Sequence, residues 1–311
     1  MLTRAFGKTG WTTSVVGQGT WNIGNQWGEM DDATAWRIVR TAFDHGMTLF
    51  DAAESYGIPN GTSEERLGLA LAGIRHRVVL VTKIGHWGLR TGQGVPHTTP
   101  DMIRLCAHAC LHRLRTEWVD VMLCHEADIE DPGVFIEAFE TLKRRGRIRV
   151  YGISTDRLDV LQRFHETAPS GCAAVEVDYS LLNLAPEADL LPYCQAQGIA
   201  VIIRGPLHRG RLSGKYTADT RFTDTVRRRW HESPEAQAAF EAKMARVAKL
   251  EAAVQAGEAL PTLALRYTLS HPAVTVAIPG ATRPEQAVAN AAAGERELTE
   301  EEKARLLAAL A

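Results

Sequence analysis

Four side chains have the types and spacing for proton transfer at a carbonyl: Asp51, Tyr56, Lys83 and His125. A free tyrosine titrates near about 10, so near neutrality it is a poor proton source or sink. A neighbouring ammonium favours the phenolate and lowers that value. Lys83 is the expected ammonium, Asp51 the group that keeps it charged and in place, and His125 the group that orients a substrate oxygen or shares the proton. A tyrosine so tuned protonates a carbonyl oxygen as hydride arrives at carbon, and removes the proton in the reverse direction. Each residue alone has a plainer reading. Asp51 and Lys83 make a structural ion pair, Tyr56 anchors a loop, and His125 is a hydrogen-bonded histidine. Joint occurrence at three successive strand ends and the loop between favours chemistry.

Those strand ends come from the pattern of the chain. Eight apolar runs, most ending in a polar residue or glycine, read as strands: TSVVGQG, MTLFDAA, VVLVTKI, VDVMLCH, IRVYGIS, AAVEVDY, IAVIIRG and AVTVAIPG. Helical periodicity fills gaps between them at 32–45, 62–71, 100–114, 132–145 and 187–197. Asp31-Asp32, Thr62 or Ser63, and Thr99-Pro100 supply helix starts. Near-continuous apolar strands alternating with helices require a parallel sheet covered on both faces, and eight of them close naturally into a (β/α)8 TIM barrel. A doubly wound open sheet is the alternative, but GQGTWNIG lacks the third glycine of a dinucleotide-binding turn. In such a barrel, functional groups sit at the C-terminal strand ends, here Asp51, Lys83, His125, Ser154, Glu176, Arg204 and the Pro279-Gly280 turn. Adjacent strands lie about 4.8 Å apart, so the first three converge on one volume with Tyr56 folded over it.

An N-terminal β-hairpin with its turn at FGKTGW is expected at the barrel bottom. Residues 205–234 read as a long loop without apolar periodicity, a lid or a disordered segment. A helix over 234–256, a last crossover helix at LPTLALRYTLSH and an outer C-terminal helix with a Thr299/Glu302 capping box follow. Neither a linker nor an internal repeat is visible, so residues 1–311 are read as a single domain.

A formal net charge of −2 gives no electrostatic reason to expect nucleic acid or an anionic membrane as partner, and Arg227-Arg228-Arg229 reads as a solvated loop face. Five cysteines without paired spacing suit free thiols in a reducing compartment. The N-terminus has no signal-like apolar stretch and no run is long enough to span a bilayer, so the cytoplasm is the expected location.

With these residues placed, the sequence resembles the aldo-keto reductase superfamily over nearly its whole length. The matching motifs, in order, are GQGTW, LFDAAESYG, VTK, LCHEAD, YGIST, VEVDYSLLN, GPLHRGRLSGKY and IPGATRPEQAVAN. The resemblance implies an oxidoreductase that reduces an aldehyde or ketone, sugar-like ones included, with NADPH bound without a Rossmann domain; NADH is possible. It implies a tetrad of Asp51, Tyr56, Lys83 and His125, with Tyr56 as general acid/base. Cofactor contacts carried over are Thr20, Trp21, Asp51, Ser154, Thr155, Glu176, Arg204, Gly205, Pro206, Leu207, Lys215, Gly280, Thr282, Arg283, Gln286 and Asn290. Thr155 stands where asparagine is common and Glu176 where glutamine is. A glutamate accepts from a carboxamide NH2 but, ionised, cannot donate to its oxygen. Arg204 takes the place beside the nicotinamide ring, Gly205 to Leu207 and Lys215 the pyrophosphate, and Arg283 or Lys215 the 2′-phosphate. The substrate pocket is expected at Trp21, Trp27, His86 and Trp87.

Other constellations in the chain carry rival readings. Cys106-x-His108-x-Cys110-x-His112 mimics a metal cluster, but on a helix the cysteines and histidines take opposite faces, so no metal is expected there. His125, Glu126 and Asp128 with Asp51 suggest a metal-dependent barrel lyase or hydrolase, which Lys83 disfavours by charge. A phosphosugar-binding barrel leaves Tyr56 without a role. Some proteins of this fold are NADPH-binding regulatory or channel-associated subunits; those can lack the tetrad histidine, which is present here.

Overall fold

A computed structural model describes residues 1–89 and 92–311. The hairpin expected at FGKTGW is β1 (Thr3–Ala5) paired antiparallel with β2 (Thr12–Ser14). Eight parallel strands follow: β3 (Gln18–Gly19), β4 (Leu49–Asp51), β5 (Val79–Ile84), β6 (Val119–Cys124), β7 (Ile148–Ser154), β8 (Ala174–Asp178), β9 (Ala200–Arg204) and β10 (Val274–Ala277). They pair in sequence order, and parallel bridges Val16–Ala277 and Gly19–Gly280 join the first to the last and close the barrel. The run TSVVGQG therefore serves two elements, its start in the hairpin and its end in the barrel.

The helices are α1 (Asp32–Asp44), α2 (Thr62–Ala70), α3 (Pro100–Arg113), α4 (Gly133–Arg144), α5 (Leu158–Thr167), α6 (Leu190–Gln197), α7 (Pro234–Ala252), α8 (Leu260–Ser270), α9 (Pro284–Ala293) and α10 (Glu300–Leu310). Start residues behave as their chemistry dictates. Asp31 and Thr99 side chains accept the amides of Thr34 and Met102, and Thr299 forms the full capping box with Glu302. Among the described residues no helix is long and apolar enough to cross a membrane.

Two apolar cores result from the two-residue period of the strands. One lies between sheet and helices. The other fills the barrel interior with Leu49, Val81, Val121, Leu123, Ala174, Ala200, Ile202 and Val276, and Phe6 of the hairpin enters it, fully buried. Burying a phenylalanine contributes roughly 1.5–3 kcal/mol, so the hairpin is a plug and not an appendage. The same period aims the next inward positions along: Leu49 leads to Asp51, Val81 to Lys83, Leu123 to His125, Ala174 to Glu176 and Asp178, and Ile202 to Arg204. Along these five strands the interior changes from apolar to ionisable over one step. On β7 the corresponding inward step passes through Gly152, where a Cβ would lie 1.8 Å from the Ala174 carbonyl oxygen; only glycine lets the strands approach there.

Candidate active site

The ionisable layer centres on Lys83, whose ammonium is fully buried. It donates to both Asp51 carboxyl oxygens at 2.7 and 2.6 Å, to the Ala52 carbonyl at 3.0 Å and to the Tyr56 hydroxyl at 3.2 Å. A second carboxyl, Glu176, stands 3.1 Å from the same nitrogen. Burial opposes the charge on Lys83, but Asp51 and Glu176 overcome it and hold the ammonium above its ordinary value. Asp51 moves upward, through burial and the nearby Glu176, against the pull of Lys83.

Tyr56 departs from the expectation. Burial pushes its phenol upward; Lys83 pulls it down, and Asp51 and Glu176 push it up again. The net direction is up, not down, because the ammonium's field is shared with two carboxyl groups in a dry site. The lysine does not make a resting phenolate. The phenol is held toward its protonated form, with the Lys83 ammonium 3.2 Å from its oxygen.

Aromatic walls surround the hydroxyl. Trp21 stacks on Tyr56 with ring centroids 5.8 Å apart, Trp27 meets Trp21 edge-on at 5.0 Å, and His125 meets Tyr56 edge-on at 6.1 Å while stacking on His86 at 4.1 Å. The loop bearing His86 is fixed by one carboxyl oxygen of Glu54, which accepts the amides of Gly85, His86 and Trp87. Trp87 itself turns away from the cleft and packs under Arg113.

Above this floor opens a cleft of about 520 Å³. Of the predicted contacts, Trp21, Asp51, Ser154, Glu176, Arg204 to Leu207, Lys215, Gly280, Thr282 and Gln286 line it, as do Trp27, His86 and the tetrad members Tyr56 and His125. Lys83 lies beneath the surface and acts through its neighbours. Thr20, Thr155, Trp87, Arg283 and Asn290 do not line the cleft. Thr20 is buried and donates to the Asp51 carbonyl at 2.7 Å; Thr155 donates to the Ala127 carbonyl at 2.6 Å; Asn290 donates to the Gly280 carbonyl. They hold the backbone that carries the lining residues.

Arg204 is not free to lie flat alone: it pairs with Asp156 and with Asp178. Asp178, Asn22, Arg209, Tyr216 and Arg227 are lining residues that sequence reading missed. Asp178 was within reach, two residues beyond Glu176 on the same strand face. Arg227 corrects the solvated reading of the arginine run. It is bound to Asp224 and to the Tyr216 hydroxyl and faces the Trp27 ring at 5.5 Å, while Arg228 and Arg229 stay exposed.

The segment 205–234, read as a lid or a disordered stretch, contains short 3-10 helices at His208–Ser213 and Arg228–His231 and packs an aromatic cluster against α7. The metal-lyase set is scattered, with Glu126 on His97 and Asp128 on exposed Arg157. Glu54, His97 and Cys106 bring ligand-type atoms within 4.8 Å of one another, but the Glu54 oxygen there is the one that anchors the three loop amides.

A family profile described as "Aldo/keto reductase family" matches residues 15–311. The chain belongs to the aldo/keto reductase family. Among similar proteins, the aldo-keto reductase YhdN of Bacillus subtilis is 32% identical over 289 residues, covering 89% of this chain and 84% of that protein. The NADH-specific methylglyoxal reductase of Escherichia coli is 30% identical over 307 residues, covering 92% and 91%. A solved aldo/keto reductase of Klebsiella pneumoniae, in complex with NADP and acetate, is 30% identical with a TM-score of 0.74, covering 98% of this chain and 93% of that one. Family membership makes this reductase a carbonyl-reducing enzyme.

Proposed function

We propose that this aldo/keto reductase uses NADPH to reduce an aldehyde or ketone to the alcohol, with Tyr56 as proton donor. The observation that carries this reading is the Tyr56 hydroxyl at the cleft floor, 3.2 Å from an ammonium chelated by Asp51. A phenol held in its protonated form is a proton source for a carbonyl oxygen. His125, edge-on to Tyr56, positions that oxygen.

The cleft suits a dinucleotide. Glu176 and Asp178 line the cleft, and Glu176 Oε1 and Asp178 Oδ1 are acceptors without a donor, which suits a carboxamide NH2. Arg209, Lys215 and Arg227 line the mouth and suit phosphates. A nicotinamide dinucleotide held there supplies hydride. Ser154 and Glu176 would hold its carboxamide, the 205–207 backbone and Lys215 its pyrophosphate, and Gly280, Thr282 and Gln286 its adenosine end. Lys215 is lowered by burial and then by the Arg283 charge, and two cations within one another's field suit a 2′-phosphate. NADH binding at least as tight as NADPH in a titration would overturn that assignment.

Trp21 and Trp27 suit apolar and sugar-like carbonyl compounds alike. Five free cysteines suit the reducing cytoplasm. Replacing Tyr56 with Phe is expected to slow reduction of a test aldehyde such as 4-nitrobenzaldehyde roughly 10²–10⁴-fold while NADPH affinity stays near that of the unaltered protein. Full activity in that variant would remove Tyr56 from its role.

A further inference from the structure

Beside the cleft, a thiol, an imidazole and a carboxylate meet. His97, in the loop between β5 and α3, has its side chain 3% exposed and its ring 5.8 Å from that of Phe135. Its Nε2 lies 3.9 Å from Cys106 Sγ on α3 and 3.8 Å from Glu54 Oε1. On the other side of the ring, Nδ1 lies 3.2 Å from Glu126 Oε1. Along its own helix Cys106 has histidines only on the opposite face; the fold supplies His97 instead, nine residues earlier. One ligand-type atom from each of Glu54, His97 and Cys106 fits within a span of 4.8 Å. Charge points the same way. Glu54 is 1% exposed, and among the described residues the only basic side chain paired with it is His97. Glu126 brings a second carboxyl group to the same imidazole.

We propose that Glu54, His97 and Cys106 form a structural site for one divalent cation of the zinc class, with water as the fourth ligand. Zinc bonds at about 2.3 Å to sulfur and about 2.0–2.2 Å to nitrogen and oxygen, so tetrahedral ligands sit about 3.3–3.6 Å apart. The separations of 3.9 and 3.8 Å exceed that by a few tenths of an ångström, within the reach of small side-chain shifts. Glu126 takes the part of the carboxylate that holds the second ring N–H of a ligating histidine and leaves the Nε2 lone pair for the metal. Glu54 Oε1 already accepts the amides of Gly85, His86 and Trp87, and the second oxygen of a carboxylate can still coordinate. Of the five cysteines Cys106 is the half-buried one, and the Glu126 side chain is 35% exposed, so the cluster opens toward solvent. Coordination exchanges the S–H bond of Cys106 for a sulfur–metal bond and releases the proton to water. The cation then ties α3, through Cys106, to His97 and to the carboxylate that fixes the His86 stretch of the same loop.

Titration of the full-length, reduced protein with CoCl2 tests the site, because cobalt bound by a thiolate shows a sulfur-to-metal charge-transfer band in the near ultraviolet. One equivalent bound with that band is expected, and ZnCl2 is expected to displace it. Cys106→Ser should lose the band. His97→Gln, a second variant checked for native circular dichroism, should bind cobalt at least ~10-fold more weakly, the least that loss of an outer partner causes. No band in the unaltered protein, a band kept in Cys106→Ser, or undiminished binding in His97→Gln overturns the site. ZnCl2 should also slow amide exchange at Gly85, His86 and Trp87 in the unaltered protein and in neither variant. Exchange there that zinc leaves unchanged in the unaltered protein, or slows equally in the variants, overturns the tie between the cation and the loop.

Discussion

The barrel mouth and the segment after β9 both keep cations out of water, by opposite means. At the mouth, Lys83 is neutralised by carboxyl groups that the strands deliver in register. In the segment, Arg211 is 5% exposed, yet its guanidinium lies 3.5 Å from the Trp230 ring centre and its Nε donates to nothing. Burial, then the nearby Arg209, pulls it down to about 10. Charge pairing on rigid strands suits a site whose geometry must not vary. Aromatic shielding on irregular backbone leaves a segment with fewer fixed partners, suited to packing around a ligand.

The largest effect expected from that contrast is at the mouth. Lys83→Met leaves two carboxyl groups without their cation, and breaking a buried ion cluster from one side costs about 3–5 kcal/mol. Thermal unfolding should show a large drop in Tm, partly recovered when Glu176→Gln is added, because the second change removes one orphaned charge. An unchanged Tm for Lys83→Met would break the comparison at its stronger end.

The same contrast governs what was legible in the sequence. Asp51, Lys83, His125 and Glu176 are visible because a strand repeats every two residues, so an inward apolar position announces the inward position after it. That rule also reached Arg204 and offers Asp178 one step beyond Glu176, but not the loop residue Asp156 that holds Arg204 with it. The segment 205–234 has no period to read. Arg211, Phe222, Trp230 and Phe240 meet only through tertiary packing, and a cation over a ring leaves no spacing signature. Thr20, Thr155 and Asn290 lie behind the residues that line the cleft, for a related reason. A motif marks a stretch as important without saying which side chains face the cleft and which tie the backbone behind it.

Acid should separate the two regions next. His208 opens the segment's first short helix, half-buried beside Ser180 and among Arg211, Lys243, Arg209 and Arg246. Burial, then those cations, lowers it to about 3 from an ordinary 6.5. An imidazole kept neutral in the fold contributes stability that is full above about pH 6.5 and is lost as pH falls from there toward 3. Between neutrality and about pH 4.5 the loss is on the order of 2–3 kcal/mol. Chemical denaturation at both pH values should show that loss reduced in His208→Asn, and equal losses in the two proteins would remove the imidazole as its source.

The smallest effect sharpens the claim that aromatic shielding is local. Arg211→Met keeps the length of the stem over Trp230 but deletes the cation, and the cation–π contribution it removes is about 2 kcal/mol at a desolvated site. The variant also discards an Nε with no acceptor, and that relief offsets part of the loss. The net destabilisation is expected near 1 kcal/mol. Faster amide exchange should be confined to residues 205–231, with β4 and β5 amides unchanged. Accelerated exchange in β4 and β5 would mean that the segment and the ionic layer share one cooperative unit, and that their two ways of holding charge are coupled.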